Sequence, residues 1–511
     1  MKLETMKIKN IFLGLSVVAS GAAITSCGTD WLEVLPNQDE TVEVYYSTDA
    51  AIQEAVVAAY DPMHWFDYAN NYTGLNVYPE MMTDQCYPGG GDVNDMSMWK
   101  EMFNFTINPT NVLDCNYSNA YSGVKRCNDA LHYMNDFDVP DMTEANRRYY
   151  EAQCLALRVF FYNQLWHWWG NIVYYTENLS GNYLGTQYSA DEVYEFMISD
   201  LESILANNPL KWKSETKDLG RITTPFVYML YTEIVMYQND QSRFGKALEY
   251  MKEIINSSEY SLHPDYAAIW DVANEWCSES IYEINYSDVN GARNWGWGGT
   301  AGGTVVPAMI GARGYDMRDG IHDGSGWGFC TVRQSAVDAF ESGDVRLAAS
   351  VWTPEEGSYT IGYQDTGHFL AKYSPIIGGN AGNIADALLN YNNNLRLYRY
   401  SEVLLNAAEL VVRGAGSGDA QGWLDQVRSR AGLGSKTANL ENILNERKNE
   451  FLGEGKRYWD IIRSGLGTKI LVPDDEIADG RKGTYTDNKK YIPFPQNEID
   501  QAYGTIVQNP Y

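Results

Sequence analysis

Apolar residues recur at helical spacing along most of the chain, and in two windows they stop doing so. Ile52, Ala55, Val56, Ala59 and Tyr60 share one face of a helix that Thr48 opens as N-cap. The period returns from Asn111 to Met134, carried by Tyr117, Tyr121, Val124, Leu131 and Met134. Thr143 caps a long helix, EANRRYYEAQCLALRVFFYNQLWHWWG, which Gly170 ends. Ser189 and Glu192 form a capping box ahead of VYEFMISDLESIL. Thr224-Pro225 starts a helix striped by Phe226, Leu230, Ile234 and Tyr237, and Ser242 opens the next. A last helical block begins at Asn394. Tyr400, Leu404, Ala407 and Val411 form its apolar face. Arg399, Glu402, Asn406, Glu409 and Arg413 form the polar one, with Glu409 and Arg413 paired one turn apart. Further helices are expected over 419–431 and 439–463. Helices of this length joined by short turns predict packed pairs, as in an irregular TPR-like scaffold. The fold class is mostly α.

The first irregular window runs from Trp65 to Trp99 and holds Tyr68, Tyr72, Tyr78, Tyr87 and Gly89-Gly90-Gly91. The second lies inside a longer irregular region, 260–394. It reads NGARNWGWGGTAGGTVVPAMIGARGYDMRDGIHDGSGWGF from Asn290 to Phe329. Around it, SIYEINYS (280–287) suits a short strand and Gln334–Glu341 a short helix. A glycine-rich run can be a flexible linker. Linkers seldom carry large aromatics, however, and here Trp295, Trp297, Tyr315 and Trp327 stand among the glycines. In an extended segment Trp295 and Trp297 point to one face, which makes a two-ring platform. Gly296, Gly298 and Gly299 let a ligand approach closely. Asn70, Asn71, Asn94, Asn290, Asn294, Arg293 and Asp316 could hydrogen-bond ligand hydroxyls. Trp295 and Trp297 are therefore the leading ligand-binding candidates, with Tyr315, Asn294 and Arg293 beside them. Tyr72 and Tyr78 would form the opposite wall. Trp327 lies nearest to a framework role.

Composition narrows the ligand. Net charge is −29, which excludes a general nucleic-acid binder and suits a neutral or cationic ligand. The 38 Tyr and 15 Trp are more than a core needs, and flat rings stack on the C–H faces of sugars. The N-terminus has Lys2, Lys7 and Lys9, then an apolar run from Ile11 to Ile24, then Thr25-Ser26-Cys27. This pattern resembles a bacterial lipobox. Residues 1–26 are read as a lipoprotein signal peptide, with Cys27 acylated as the first mature residue. Met6 could start a complete signal as well as Met1. Six other cysteines remain, without a C-x-x-C pair, and their pairing is open.

The chain resembles the SusD/RagB family, outer-membrane nutrient-binding lipoproteins of Bacteroidetes. The resemblance rests on the lipobox followed by Trp31-Leu32 and Pro36, on AQCLALRVFFYNQLWHWWGNIV and on INSSEYSLHPDYAAIWDVANEWCSESIYEI. It also rests on RLYRYSEVLLNAAEL, LDQVRSRAGL and ILNERKNEFLGEGKRYWDIIRSG, and on the ending KYIPFPQNEI…QNPY. One departure is Tyr174 after Val173, where the family usually has Pro. The resemblance implies a single SusD-like domain over 27–511: helical parts at 27–260 and 395–511, and an irregular, ligand-binding insert at 260–394. It implies a surface-exposed glycan-binding lipoprotein of the outer membrane. That protein would capture oligosaccharides and deliver them to a SusC-like, TonB-dependent transporter. The alternatives are a lid for peptide or glycoprotein nutrients and a glycoside hydrolase.

The hydrolase alternative would draw on Glu446, Glu450, Glu454 and Asp460. Arg447, Arg457 and Arg463 interleave with these acids, which favours an ion-pair network that locks the last helices in place. Trp166-His167-Trp168-Trp169 closes an amphipathic helix and reads as core. No cofactor is called for. Structural calcium has two candidate loops, Asp92, Asn94 and Asp95, and Asp316, Asp319 and Asp323, both read as solvated turns.

Overall fold

A computed structural model describes residues 41–67, 72–289, 293–295, 302–380 and 386–511. The lipobox, Cys27, Tyr68, Asn70, Asn71, Asn290 and Trp297 lie outside these residues.

The framework is a continuous helical array. Its members are α1 (Asp49–Tyr60), α2 (Asp114–Asp136), α3 (Glu144–Trp169), α4 (Ala190–Asn207), α5 (Thr224–Gln238) and α6 (Phe244–Ser257). After the irregular region come α7 (Tyr400–Val412), α8 (Ala420–Arg430), α9 (Leu440–Glu450) and α10 (Arg457–Arg463). Each of α2 to α6 packs on the next, α6 reaching α7 across the irregular region, and α7 in turn holds α8 and α9. The array thus closes across an insertion longer than a hundred residues. Chain ends formed far apart in sequence share one core.

Local sequence sets the helix boundaries. Thr48 accepts from the Ala51 amide and Thr143 from the Asn146 amide. Both halves of the Ser189–Glu192 capping box form. Gly170 stops α3 in a left-handed conformation, φ 67°. Trp166, His167, Trp168 and Trp169 are all buried, and His167 stacks on Trp459 at 4.6 Å. Burial, reinforced by the nearby Lys490 and Lys456, pulls the His167 imidazole down to about 3, so it is neutral.

Three boundaries differ from expectation. The block expected from Asn394 begins as a strand, β4 (Leu395–Arg399), because β2 (Ser280–Ile284) pairs with it antiparallel, Ser280 opposite Arg399. Tertiary pairing outweighs helical spacing there and brings the two ends of the irregular region together. The helix expected over 439–463 breaks between α9 and α10, where Gly453 and Gly455 have φ of 83° and 73°. A Cβ on Gly455 would meet the Leu75 carbonyl at 2.5 Å, so the break lets the first loop window approach. Arg243, not Ser242, is the N-cap of α6.

A second small sheet joins the two irregular windows. β1 (Cys86–Gly89) pairs antiparallel with β3 (Phe329–Val332), Cys86 opposite Val332. Gly90 continues the contact by donating to the Gly328 carbonyl.

The last helices are locked by a buried ion network. Arg399 reaches Glu454 at 2.8 Å, Glu450 at 3.1 Å, and Glu279. Arg430 bridges Glu279 and Glu450, Arg346 bridges Asp344, Glu446 and Glu450, and Lys372 holds Glu454 at 2.7 Å. The network was expected, and Arg463 does hold Asp460 one helical turn away at 2.7 Å, but most of its partners lie much further apart in sequence. They arrive from β2, β4, α8 and the irregular region. Arg457 pairs with Asp84 instead, at 3.0 Å. The Glu409–Arg413 pair forms, yet the polar face of α7 is buried, since Arg463 also reaches Glu409.

Candidate functional site

The two windows meet in a cluster of three rings. Trp327 stands edge-on to Tyr72 at 5.6 Å and 79°. On its other side it lies 5.9 Å from Trp295 at a 33° tilt. Trp295 is 51 % exposed, and the other two rings are half-buried. Trp295 and Trp327 form an inclined pair and Tyr72 stands edge-on to Trp327; Trp295 is open to solvent, while Tyr72 and Trp327 also pack against the core.

Backbone contacts hold each ring. The Trp327 amide donates to the Ala308 carbonyl at 2.7 Å, and Arg313 donates to the Trp327 carbonyl at 2.8 Å. Gly326 is required beside it: a Cβ there would meet the Gly311 backbone at 2.1 Å. The Trp295 amide donates to Asp386 at 2.7 Å. Tyr72 sits at φ 49°, a conformation unusual for an aromatic residue.

Beneath Trp295 the chain is anchored by Arg293. Its guanidinium is fully buried, 2.7 Å from Asp67, and also donates to the His64 carbonyl at 2.5 Å. Asn390 accepts from the Arg293 amide at 2.8 Å and donates to its carbonyl at 2.9 Å, as a neighbouring strand would. Asp67 belongs to the first window and His64 immediately precedes it, so this pair fixes one window against the other.

Several candidates therefore move. Arg293 is buried in an ion pair with Asp67 that ties the loop down. Tyr78 is a core residue on the short helix Val77–Met81, edge-on to Trp99 at 5.8 Å and Trp168 at 5.5 Å. Tyr315 is buried in a small separate cluster with Ala312, Trp352 and Phe369. Its ring meets Trp352 edge-on at 4.9 Å. Asn294 is half-buried next to Trp295. Trp297 falls outside the described residues. Trp327, expected in the framework, does pack against the core, and it is also the ring that meets both Tyr72 and Trp295. Its glycine neighbours on both sides were the available signal, since they mark a tightly approached backbone that presents one large side chain.

Both calcium candidates have their carboxylates committed. Asp95 accepts from the Gly91 amide, and Asp92 and Asp95 carbonyls accept from Lys100. Asp316 pairs with Arg318, Asp319 with His322, and Asp323 accepts from Tyr391. Among the described residues no group of three or more His, Cys, Asp or Glu is placed to hold a metal. The four acids considered for hydrolysis are buried in the ion network. Burial raises Asp460, but Arg447 and Arg463 outweigh it and hold the carboxyl at about 2. Burial raises Glu450 and Glu454 as well, but the cations beside them, Arg399 and Lys372 among them, outweigh it and hold both carboxyls below their ordinary range.

The framework and the ring cluster together describe a helical scaffold that presents an aromatic loop surface. The sequence profile of the SusD family matches residues 268–511. Surface glycan-binding protein A from Bacteroides thetaiotaomicron, solved in complex with laminarihexaose, is 48% identical, with a TM-score of 0.86 over 91% of this chain and 100% of that one. Surface glycan-binding protein A from Bacteroides uniformis is 43% identical, with a TM-score of 0.82 over 90% of this chain and 99% of that one. A laminarin-binding SusD-like protein is 29% identical, with a TM-score of 0.81 over 91% and 100%. The chain belongs to the SusD/RagB family.

Proposed function

We propose that this protein is a cell-surface glycan-binding protein of the laminarin-binding kind. It holds an oligosaccharide on Tyr72, Trp327 and Trp295 and passes it to a TonB-dependent transporter. The observation that carries the reading is the cluster of three rings, Trp295 open to solvent, built where two loop windows meet. Laminarihexaose is the ligand of a solved relative at 48% identity, and it is neutral, as a chain of charge −29 favours. Acylation of Cys27 would keep the protein at the outer membrane. Within this reading the protein binds and does not cleave.

Native affinity electrophoresis with laminarin in the gel tests the binding. Retardation is expected, and it should be lost in Trp295→Ala/Trp327→Ala. Release of new reducing ends during incubation with laminarin would overturn the non-enzymatic reading. Co-purification with a transporter barrel from detergent-solubilised outer membranes tests the partner. Release of the protein into the medium on Cys27→Ala tests the anchor.

A further inference from the structure

A second groove lies on elements that contribute nothing to the three-ring surface. It is open, about 690 Å³ in volume, and formed by α2, the loop after Val173 and the C-terminal segment around Ala502. That volume falls within the roughly 300–1,000 Å³ of small-molecule sites. Its floor is aromatic: Tyr121 lies parallel to Tyr175 at 6.0 Å and 10°, and edge-on to Tyr117 at 4.8 Å. Its lining includes Tyr183 on one segment and Tyr503 on another.

These two rings are the unusual feature. Tyr183 is 72 % exposed and Tyr503 85 %. Both hold left-handed backbone, φ 57° and 49°, which a bulky side chain seldom adopts. Tyr72 of the three-ring surface shares that conformation. Strained backbone clusters at functional sites, so two such outliers that present rings to solvent in one groove motivate a functional reading.

The segments that carry them are tied together. Gln187 donates to the Val507 carbonyl at 3.2 Å and accepts from the Val507 amide at 2.8 Å. Tyr121 donates to the Val173 carbonyl, and Asn178 donates to Asp129 on α2 at 2.6 Å. The groove is therefore preformed.

Its chemistry selects a neutral, hydroxyl-rich ligand. Ser118, Ser122, Asn182 and Gln501 offer hydroxyl and amide groups along it. Lys125 and Glu498 are the only Asp, Glu, Lys or Arg residues in its lining, in a chain where 21% of residues are charged. Lys125 is already paired with Asp129 at 2.6 Å. Rings that flank amides, with little net charge, suit the apolar faces and equatorial hydroxyls of a sugar chain.

We propose that this groove is a second carbohydrate-binding site, in which Tyr183 and Tyr503 stack on a neutral glycan. It rests on the glycan-binding reading above. Two sites on one molecule would raise retention of a long polysaccharide far more than that of a short oligosaccharide.

Isothermal titration with laminarihexaose tests it, on the wild-type protein, Tyr183→Gly/Tyr503→Gly, Trp295→Ala/Trp327→Ala and the fourfold variant. Glycine suits the left-handed backbone at both tyrosines, so the fold is kept, and an unchanged melting temperature checks this. Two binding events are expected in the wild-type protein. One should disappear in each double variant, and both in the fourfold one. Laminarin retention should fall at least fivefold in the tyrosine variant. One binding event in the wild-type protein, unchanged in the tyrosine variant, overturns the second site and leaves the glycan-binding reading standing. No binding by the wild-type protein overturns both. If glycan binding is unchanged but co-purification with the transporter weakens, the groove is a protein-docking surface and the proposal fails.

Discussion

Arg293 and Asp67 form a buried ion pair, 2.7 Å between Nη1 and Oδ1, that joins the two loop windows carrying the aromatic surface. Both side chains are shielded from water. Removing one partner strands the other charge in the core, which costs about 3–5 kcal/mol. Arg293→Met is expected to lower the unfolding free energy by that order. Arg293→Met/Asp67→Leu should recover much of the loss. Urea unfolding of the two variants measures the difference.

Trp295 is the most exposed of the three rings and contributes little to the core. Trp295→Ala should leave stability within about 0.5 kcal/mol of wild type. Stacking contributes about 1 kcal/mol per ring, so affinity for laminarihexaose should fall about 5-fold. Calorimetric titration beside a thermal melt reads both quantities, and equal affinity would remove Trp295 from the site.

Tyr78 gives the opposite expectation. Its hydroxyl is buried with no hydrogen-bond partner among the described residues, and burial pushes the phenol far above its ordinary range. Tyr78→Phe should therefore be neutral or stabilising by about 1 kcal/mol. Glycan affinity should not change. Tyr78→Ala opens a cavity and should cost about 3–5 kcal/mol.

Asp460 links stability to acid. Its folded carboxyl is held at about 2, below the ordinary 3.8. For a depressed acid the contribution is complete above the unfolded value and is lost as pH falls through the folded one. About 2 kcal/mol from this group should vanish between pH 4 and pH 2. Asp460→Asn should destabilise at pH 6 and converge on wild type near pH 2 in denaturant titrations.

Glu80 works in the other direction. Burial raises its carboxyl to about 8; the Gly455 amide and Lys372 oppose this, while Glu454 and Asp84 add to it. A raised acid contributes fully below its unfolded value and loses that contribution as pH rises through the folded one. Glu80→Gln should match wild type at pH 5 and exceed it at pH 9 by on the order of 1 kcal/mol or more. Equal pH dependence of the two melting temperatures would show that Glu80 is already ionised.

The helical framework is legible in the chain because its signals are local. Thr48, Thr143, Ser189 and Gly170 cap or stop helices through atoms three or four residues away, and apolar stripes declare which faces are buried. The family motifs and the glycine-rich aromatic windows are likewise visible in the residue order, so the region of the site was readable. Which rings meet was not. Whether a tyrosine in a loop is exposed depends on what distant backbone covers it. Long-range contacts bury Tyr78 against Trp168 and Tyr315 against Trp352, while the β1–β3 pairing carries Trp327 between Tyr72 and Trp295. Charges follow the same rule. Spacing predicted that Glu450 is paired, but its partners Arg346, Arg399 and Arg430 come from three separate segments, because a buried carboxylate needs several donors and only the folded chain assembles them.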